Sequence, residues 1–266
     1  MEIKKYLPAI ILPVFMAMAM LTACQKENTD TKTTSLPVIQ SYLVPGQPIS
    51  VKLSTQKALT DTATFGSPIT GISLYLSDGS QKVQLTESTP GTYTYADQSF
   101  LVTGKTFSLQ FDYQGNSVSA STVMPAKPVN FNSQYTGITV AAGGGPGTAN
   151  TVLNTFTWSN PDSLNHVLVF KAINAPYAIN SFGGTRPANS QINTNRASLY
   201  NVTQNSFSYR GTYQIILFRV NQEYINLLNN NDRTSSQDLT QIPTNIVNGF
   251  GIFTAMQADT LGFTVY

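Results

Sequence analysis

Thr106-Phe107-Ser108-Leu109-Gln110-Phe111-Asp112-Tyr113 decides the fold class. Successive side chains of a strand leave opposite faces, so Phe107, Leu109 and Phe111 share one face while Ser108 and Gln110 take the other. Gly115-Asn116 then supplies a turn, and 117–123 reads as the returning strand. Towards the N-terminus the same grammar recurs. Ser73-Leu74-Tyr75-Leu76-Ser77 alternates in the same way, and strands are predicted over 38–44, 49–54, 72–76, 83–86 and 91–95. Pro45-Gly46, Asp78-Gly79 and Pro90-Gly91 stand where hairpins need turns. About seven short strands without a periodic helix among them predict an immunoglobulin-like β-sandwich over 36–124.

Met124-Pro125-Ala126-Lys127-Pro128 interrupts this pattern, since two prolines so close together cannot continue a central strand. Residues 125–128 are read as a linker and 129–266 as a second β-sandwich-like domain. In it, 138–140 and 152–158 flank a glycine-rich stretch, 141–149, while 167–173 and 213–220 are apolar enough for buried strands. The stretch around Gly143-Gly144-Gly145-Pro146-Gly147 lacks the Lys-Ser/Thr and the helix that follow a phosphate-binding loop, so it reads as a hairpin tip. A long polar segment, 174–203, reads as a loop. One short helix is predicted over 221–228, with Tyr224, Leu227 and Leu228 on one side and Asn221 as its cap. Two closing strands, 249–255 and 261–266, complete an all-β chain: an immunoglobulin-like sandwich followed by a second β-rich domain with one short helix.

The N-terminus carries a different signal. Lys4 and Lys5 precede an apolar run from Leu7 to Leu21, broken by Pro8 and Pro13, which is too short for a membrane-spanning helix and has the build of a signal peptide over 1–23. The run ends in Leu21-Thr22-Ala23-Cys24, similar to the bacterial lipobox, in which the cysteine is cleaved free and diacylated. Two or more acyl chains suffice for stable anchoring. Cys24 is therefore the expected lipidation site and 24–35 a polar tether. Gln25-Lys26-Glu27-Asn28-Thr29-Asp30 resembles a surface-export signal of Bacteroidota lipoproteins, and reads equally well as a solvated spacer.

Loss of 1–23 leaves 13 basic and 12 acidic residues, scattered rather than clustered, which argues against a nucleic-acid partner. A single cysteine forms no internal disulfide. A single histidine, His166, limits nucleophile–histidine catalysis to one residue that stands at the start of an apolar strand, where a structural role is expected. Zinc needs several His or Cys ligands. Asp78, Glu87, Asp97, Asp162 and Glu223 sit in turns or at a helix start, so a glycosidase carboxylate pair is not expected among them. Asn229-Asn230-Asn231-Asp232 with Asp238 offers oxygen ligands for calcium without the spacing of a calcium loop. No catalytic residue, metal or cofactor is expected, and the chain is read as a non-enzyme.

Several segments, in order, resemble the Bacteroidota lipoproteins grouped as domain of unknown function 4249. They are Ser41-Tyr42-Leu43-Val44-Pro45-Gly46-Gln47-Pro48-Ile49-Ser50-Val51, Pro68-Ile69-Thr70-Gly71, Pro90-Gly91-Thr92-Tyr93, Val102-Thr103-Gly104-Lys105-Thr106-Phe107, Trp158-Ser159-Asn160-Pro161-Asp162, Arg219-Val220-Asn221-Gln222-Glu223-Tyr224 and Asn245-Ile246-Val247-Asn248-Gly249-Phe250-Gly251-Ile252-Phe253. The resemblance implies a lipoprotein of the cell outer membrane, surface-exposed or facing the periplasm, whose genes often neighbour those of TonB-dependent receptors. It brings no catalytic residues. The function expected is a non-catalytic binding or accessory subunit working with such a receptor in nutrient capture or uptake, with a glycan or peptide as ligand. The alternative is a stand-alone carbohydrate-binding or adhesive surface module. Exposed aromatic rings are common sugar platforms and Tyr and Phe are plentiful here, but for aromatics such as Tyr93 and Tyr95 cross-strand packing or core use is the favoured reading.

Overall fold

The computed structural model describes residues 35–56, 66–140, 151–179, 187–231 and 243–266. The expected signal peptide over 1–23, Cys24, the tether up to residue 34 and the whole glycine-rich stretch 141–149 lie outside them, as do Asp232 and Asp238. Residues 35–266 form one compact unit.

The first half is built from β1 (Pro37–Leu43), β2 (Ile49–Thr55), β3 (Leu74–Ser77), β4 (Lys82–Thr89), β5 (Thr92–Tyr95), β6 (Thr106–Tyr113) and β7 (Asn116–Val123). The alternation read from the sequence is the alternation observed. Phe107, Leu109 and Phe111 are buried and Ser108 and Gln110 exposed, in register with β7 from Thr106↔Val123 to Tyr113↔Asn116. One sheet runs β4–β5–β2–β1 and the other β4–β3–β6–β7, because β4 pairs with β3 at its start and with β5 at its end. Leu74, Leu76, Leu85, Phe107 and Leu109 from one sheet meet Ile39, Leu43, Val51 and Leu53 from the other in a largely aliphatic core.

The second half comprises β8 (Val129–Ser133), β9 (Gly137–Ile138), β10 (Val152–Ser159), β11 (His166–Ala178), β12 (Ser190–Asn193), β13 (Leu199–Thr203), β14 (Tyr209–Val220), α1 (Gln222–Asn231), β15 (Ile246–Val247) and β16 (Phe250–Val265). A sheet β12–β11–β14–β16, extended by β9, faces a three-stranded sheet β13–β10–β8. Their shared core is aromatic. Phe156 makes edge contacts with Phe170 and Phe263 at 6.1 and 5.3 Å, and Phe207 stacks on Phe170 at 4.9 Å.

The structure departs from the sequence reading at several places. The polar segment 174–203 holds the end of β11 and two strands, β12 and β13, rather than a single loop. The two closing strands expected at 249–255 and 261–266 are one 16-residue strand. Its first part pairs in parallel with β1, from Val38↔Phe250 to Leu43↔Ala255, and its second part runs antiparallel to β14. Residues beyond the 125–128 linker thereby return to the first core, where Phe253, Ala255 and Ile246 are buried among the residues of β1 to β7. Residues 252–256 are buried without alternation, because this stretch of β16 is covered on both faces. One cover is the first sandwich. The other is α1, whose Ile225 packs with Val167, Val220 and Met256 and is joined by Tyr224 and Leu228. Leu227, expected on that side, is not among these residues.

Asn221 directly precedes α1, and its side chain makes bonds outside the helix. The carboxamide Nδ2 donates to Thr122 Oγ1 at 2.9 Å and to the Val123 carbonyl at 2.7 Å, reaching across to the first sandwich. Thr122 Oγ1 accepts from the Ala255 amide at 3.1 Å and donates to Glu223 Oε1 at 2.7 Å. Thr254 Oγ1 completes the node by donating to the same oxygen at 3.1 Å. Thr122 and Thr254 are buried, so each of these bonds satisfies a polar group that would otherwise be desolvated alone.

Candidate functional site

The expected site residues are dispersed. Asp78 Oδ1 accepts from the amides of Ser80 and Gln81 at 2.8 and 2.6 Å and closes a turn. Those amides, with the nearby Lys105 ammonium, hold its carboxyl below the usual carboxylate range. Asp97 does the same for Ser99, whose hydroxyl and amide lower its pKa. Glu223 is spent on the node with Thr122 and Thr254. Asp162 is exposed in the turn before β11. These acids are held by separate elements, and among the described residues no group of three or more His, Cys, Asp or Glu is placed to hold a metal ion.

His166 opens β11 and is buried, with 2% of its surface exposed. Its Nδ1 donates to the Leu164 carbonyl at 3.1 Å and its ring lies 6.0 Å from that of Trp158. Burial pushes its pKa down, a shift the Leu164 carbonyl opposes and the Arg219 guanidinium reinforces. The neutral ring forms part of the wall of a small cleft of about 240 Å³ with Lys127, Asp162 and Arg219. Among the described residues no serine, threonine or cysteine hydrogen-bonds to this ring, and its bond to the Leu164 carbonyl is structural.

Tyr93 is a core residue, 1% exposed, and Tyr95 packs edge-on against Phe100 at 5.8 Å. The Tyr93 hydroxyl has a structural task. It donates to the Ile69 carbonyl at 3.0 Å and accepts from the Ile72 amide at 3.1 Å, while burial raises its pKa. Beside it the two Glu87 oxygens accept from the amides of Gly71 and Gly91 at 2.9 and 2.8 Å. These two amides lower the Glu87 pKa. Three of these hydrogen bonds pin residues 69–72 to the end of the sandwich, and the fourth ties Glu87 to the β4–β5 turn at Gly91.

That pinned segment walls a cleft of about 480 Å³ on the outer face of the sheet β4–β3–β6–β7. Gly71, Ile72 and Ser73 form the wall, and Tyr75, Lys82, Gln110 and Asp112 line the floor and rim. The floor follows from alternation: Leu74 and Leu76 point into the core, so Tyr75 points out. Register then sets Gln84 on one side of Tyr75 and Gln110 on the other. The Lys82 ammonium lies over the Tyr75 ring, 4.5 Å from its centre. The sequence had shown which way Tyr75 and Gln110 face, but the pairing that makes them neighbours of Lys82 and Asp112 depends on strand order.

A layered all-β chain of this build, with an immunoglobulin-like sandwich leading into a second β module, defines the class of protein. Its family is equally plain: residues 26–261 match the family described as Domain of unknown function (DUF4249), and the chain belongs to it. Among solved structures it is similar to the FN1–FN3 domains of chicken CNTN1, at 11% identity and a TM-score of 0.28 over 70% of this chain. The chain spans 59% of that structure's length. A comparison with curated proteins found no match. Among the described residues no helix is long and apolar enough to cross a membrane.

Proposed function

We propose that this protein is a lipoprotein of the bacterial outer membrane, of the Bacteroidota kind, tethered through acylated Cys24 and acting as a non-catalytic binding or accessory subunit of a TonB-dependent receptor. The observation that carries the reading is the motif Leu21-Thr22-Ala23-Cys24, set between an apolar leader and a polar stretch that ends where the compact β unit begins at Ser35. The acidic residues that would serve hydrolysis are used instead to close turns and to join the two halves, as Asp78 and Glu223 are. Such a body presents clefts and strand edges to a partner, which is what a capture or accessory role requires.

Two measurements test this. Labelling growing cells with an alkyne fatty acid is expected to mark the wild-type chain and not Cys24→Ser. Purification of the labelled chain in mild detergent is expected to bring down an outer-membrane barrel receptor. Absence of the label removes the anchor, and a labelled chain that never retains a barrel removes the accessory role.

A further inference from the structure

We infer that the cleft around Tyr75 is a saccharide-binding site, taking a neutral sugar ring on Tyr75 with its hydroxyls read by Gln110, Asp112 and Lys82. This does not depend on partnership with a receptor.

Three observations converge on it. The first is the platform. Tyr75 is half-buried, so its ring is fixed at the base, while its face is reached by an exposed, flexible lysine. A sugar's C–H face can take the place of that ammonium, since both are attracted to the electron-rich ring face. The displaced ammonium then remains within reach of ring and hydroxyl oxygens.

The second is unspent hydrogen-bonding capacity. On this molecule acids and amides are commonly consumed by structure, as Glu87, Asp97 and Asn221 show. Among the described residues, the side chains of Gln110 and Asp112 have no intramolecular hydrogen bond or ion pair. Both line the cleft. A carboxylate accepts from two adjacent hydroxyls, and a carboxamide both donates and accepts, which matches a polyol better than an anion or an apolar ligand.

The third is a wall held in place, with short side chains on the strand beyond the floor. Residues 69–72 are held by the Tyr93 hydroxyl and by Glu87 Oε2, so the wall needs no ordering when a ligand arrives. Across β6, Ser119 pairs with Gln110 and Ser117 with Asp112, and these short side chains leave room for a second ring along the sheet.

The test uses the full mature chain, purified in a detergent without a sugar head group. It is run in native gels containing hydroxyethylcellulose, galactomannan, arabinoxylan or laminarin, with polygalacturonate as the anionic comparison. Retardation by at least one neutral polysaccharide is expected. Tyr75→Ala should weaken it about tenfold or more, and the near-isosteric Asp112→Asn by about tenfold. Tyr177→Ala, which alters an exposed ring on the second module, should leave it unchanged. Because Asp112 is exposed, its variant keeps the test valid if Tyr75→Ala folds poorly. The proposal is overturned by no retardation in any neutral gel, by retardation in polygalacturonate alone, or by retardation that survives both cleft variants.

Discussion

The two halves of the molecule solve the same packing problem with different side chains. In the first, regular alternation on seven strands brings mostly leucine, isoleucine and valine inward, and the core closes between two sheets of similar width. In the second, a sheet of only three strands faces a wider one, and large rings fill the space between them: Phe131, Phe156, Trp158, Phe170, Phe207 and Phe263. Fewer, larger residues bury the area that many aliphatic ones bury in the first half. The lesson is that the second half depends more steeply on single residues. It also depends on the first half, since its central strand β16 begins there.

The sharpest way to break this contrast is Phe156→Ala. Phe156 is fully buried and touches rings from both sheets, so its truncation is expected to cost about 3–5 kcal/mol in urea unfolding. The shared strand should carry that loss to the first half as well. Intrinsic tyrosine and Trp158 fluorescence should report one transition, and two separated transitions would show that the cores unfold independently. Gly251→Ala attacks the shared strand itself. Gly251 has φ +98°, and a Cβ there would run into the Ile39 carbonyl across the β1–β16 pairing. A loss of at least about 2 kcal/mol is expected, with the two transitions beginning to separate. Thr122→Val keeps the shape and removes the hydroxyl that joins Asn221, Glu223 and Ala255. It should cost about 1–3 kcal/mol, since it leaves buried groups unpaired.

The smallest effect is one of pH. Burial lowers the pKa of His166 in the folded state, so protonation favours the unfolded chain. The stabilisation is complete above the ordinary histidine pKa of about 6.5 and is lost as pH falls from there towards the depressed folded value. The carboxylates of Asp78, Glu87 and Asp97, whose pKa values are also lowered, add their own loss only further down, as pH falls from about 4 through their folded values. Thermal melts between pH 7 and 5 should therefore slope less in His166→Leu than in the wild type. Equal slopes would remove His166 as their cause.

Legibility in the sequence follows the same divide. Strands of the first half were readable because each is long enough to show two or three turns of the alternation, as in Phe107, Leu109 and Phe111. β8, β12 and β13 were not, because Val129-Asn130-Phe131-Asn132-Ser133 and Ser190-Gln191-Ile192-Asn193 carry one or two inward residues among asparagines and serines, which also signal loops. The continuity of β16 was hidden for another reason. Its middle, Gln257-Ala258-Asp259-Thr260, is polar where it passes between the cores, and Asp259 pairs there with Lys127 at 3.0 Å. At the candidate cleft, the outward direction of Tyr75 and Gln110 was legible and their company was not.

The sequence by itself determined the fold class, the family, the motif at Cys24 and the face on which each regular strand places its side chains. These are local properties: spacing of two along a strand, turn residues at fixed offsets and a short motif. Only the tertiary structure decided that one strand serves both cores and that Asn221 and Glu223 bind the first half. It also set Lys82, Tyr75, Gln110 and Asp112 around one cleft. Each of these depends on which strands become neighbours, and the free energy that selects neighbours comes from burying whole faces against each other, which no single segment carries.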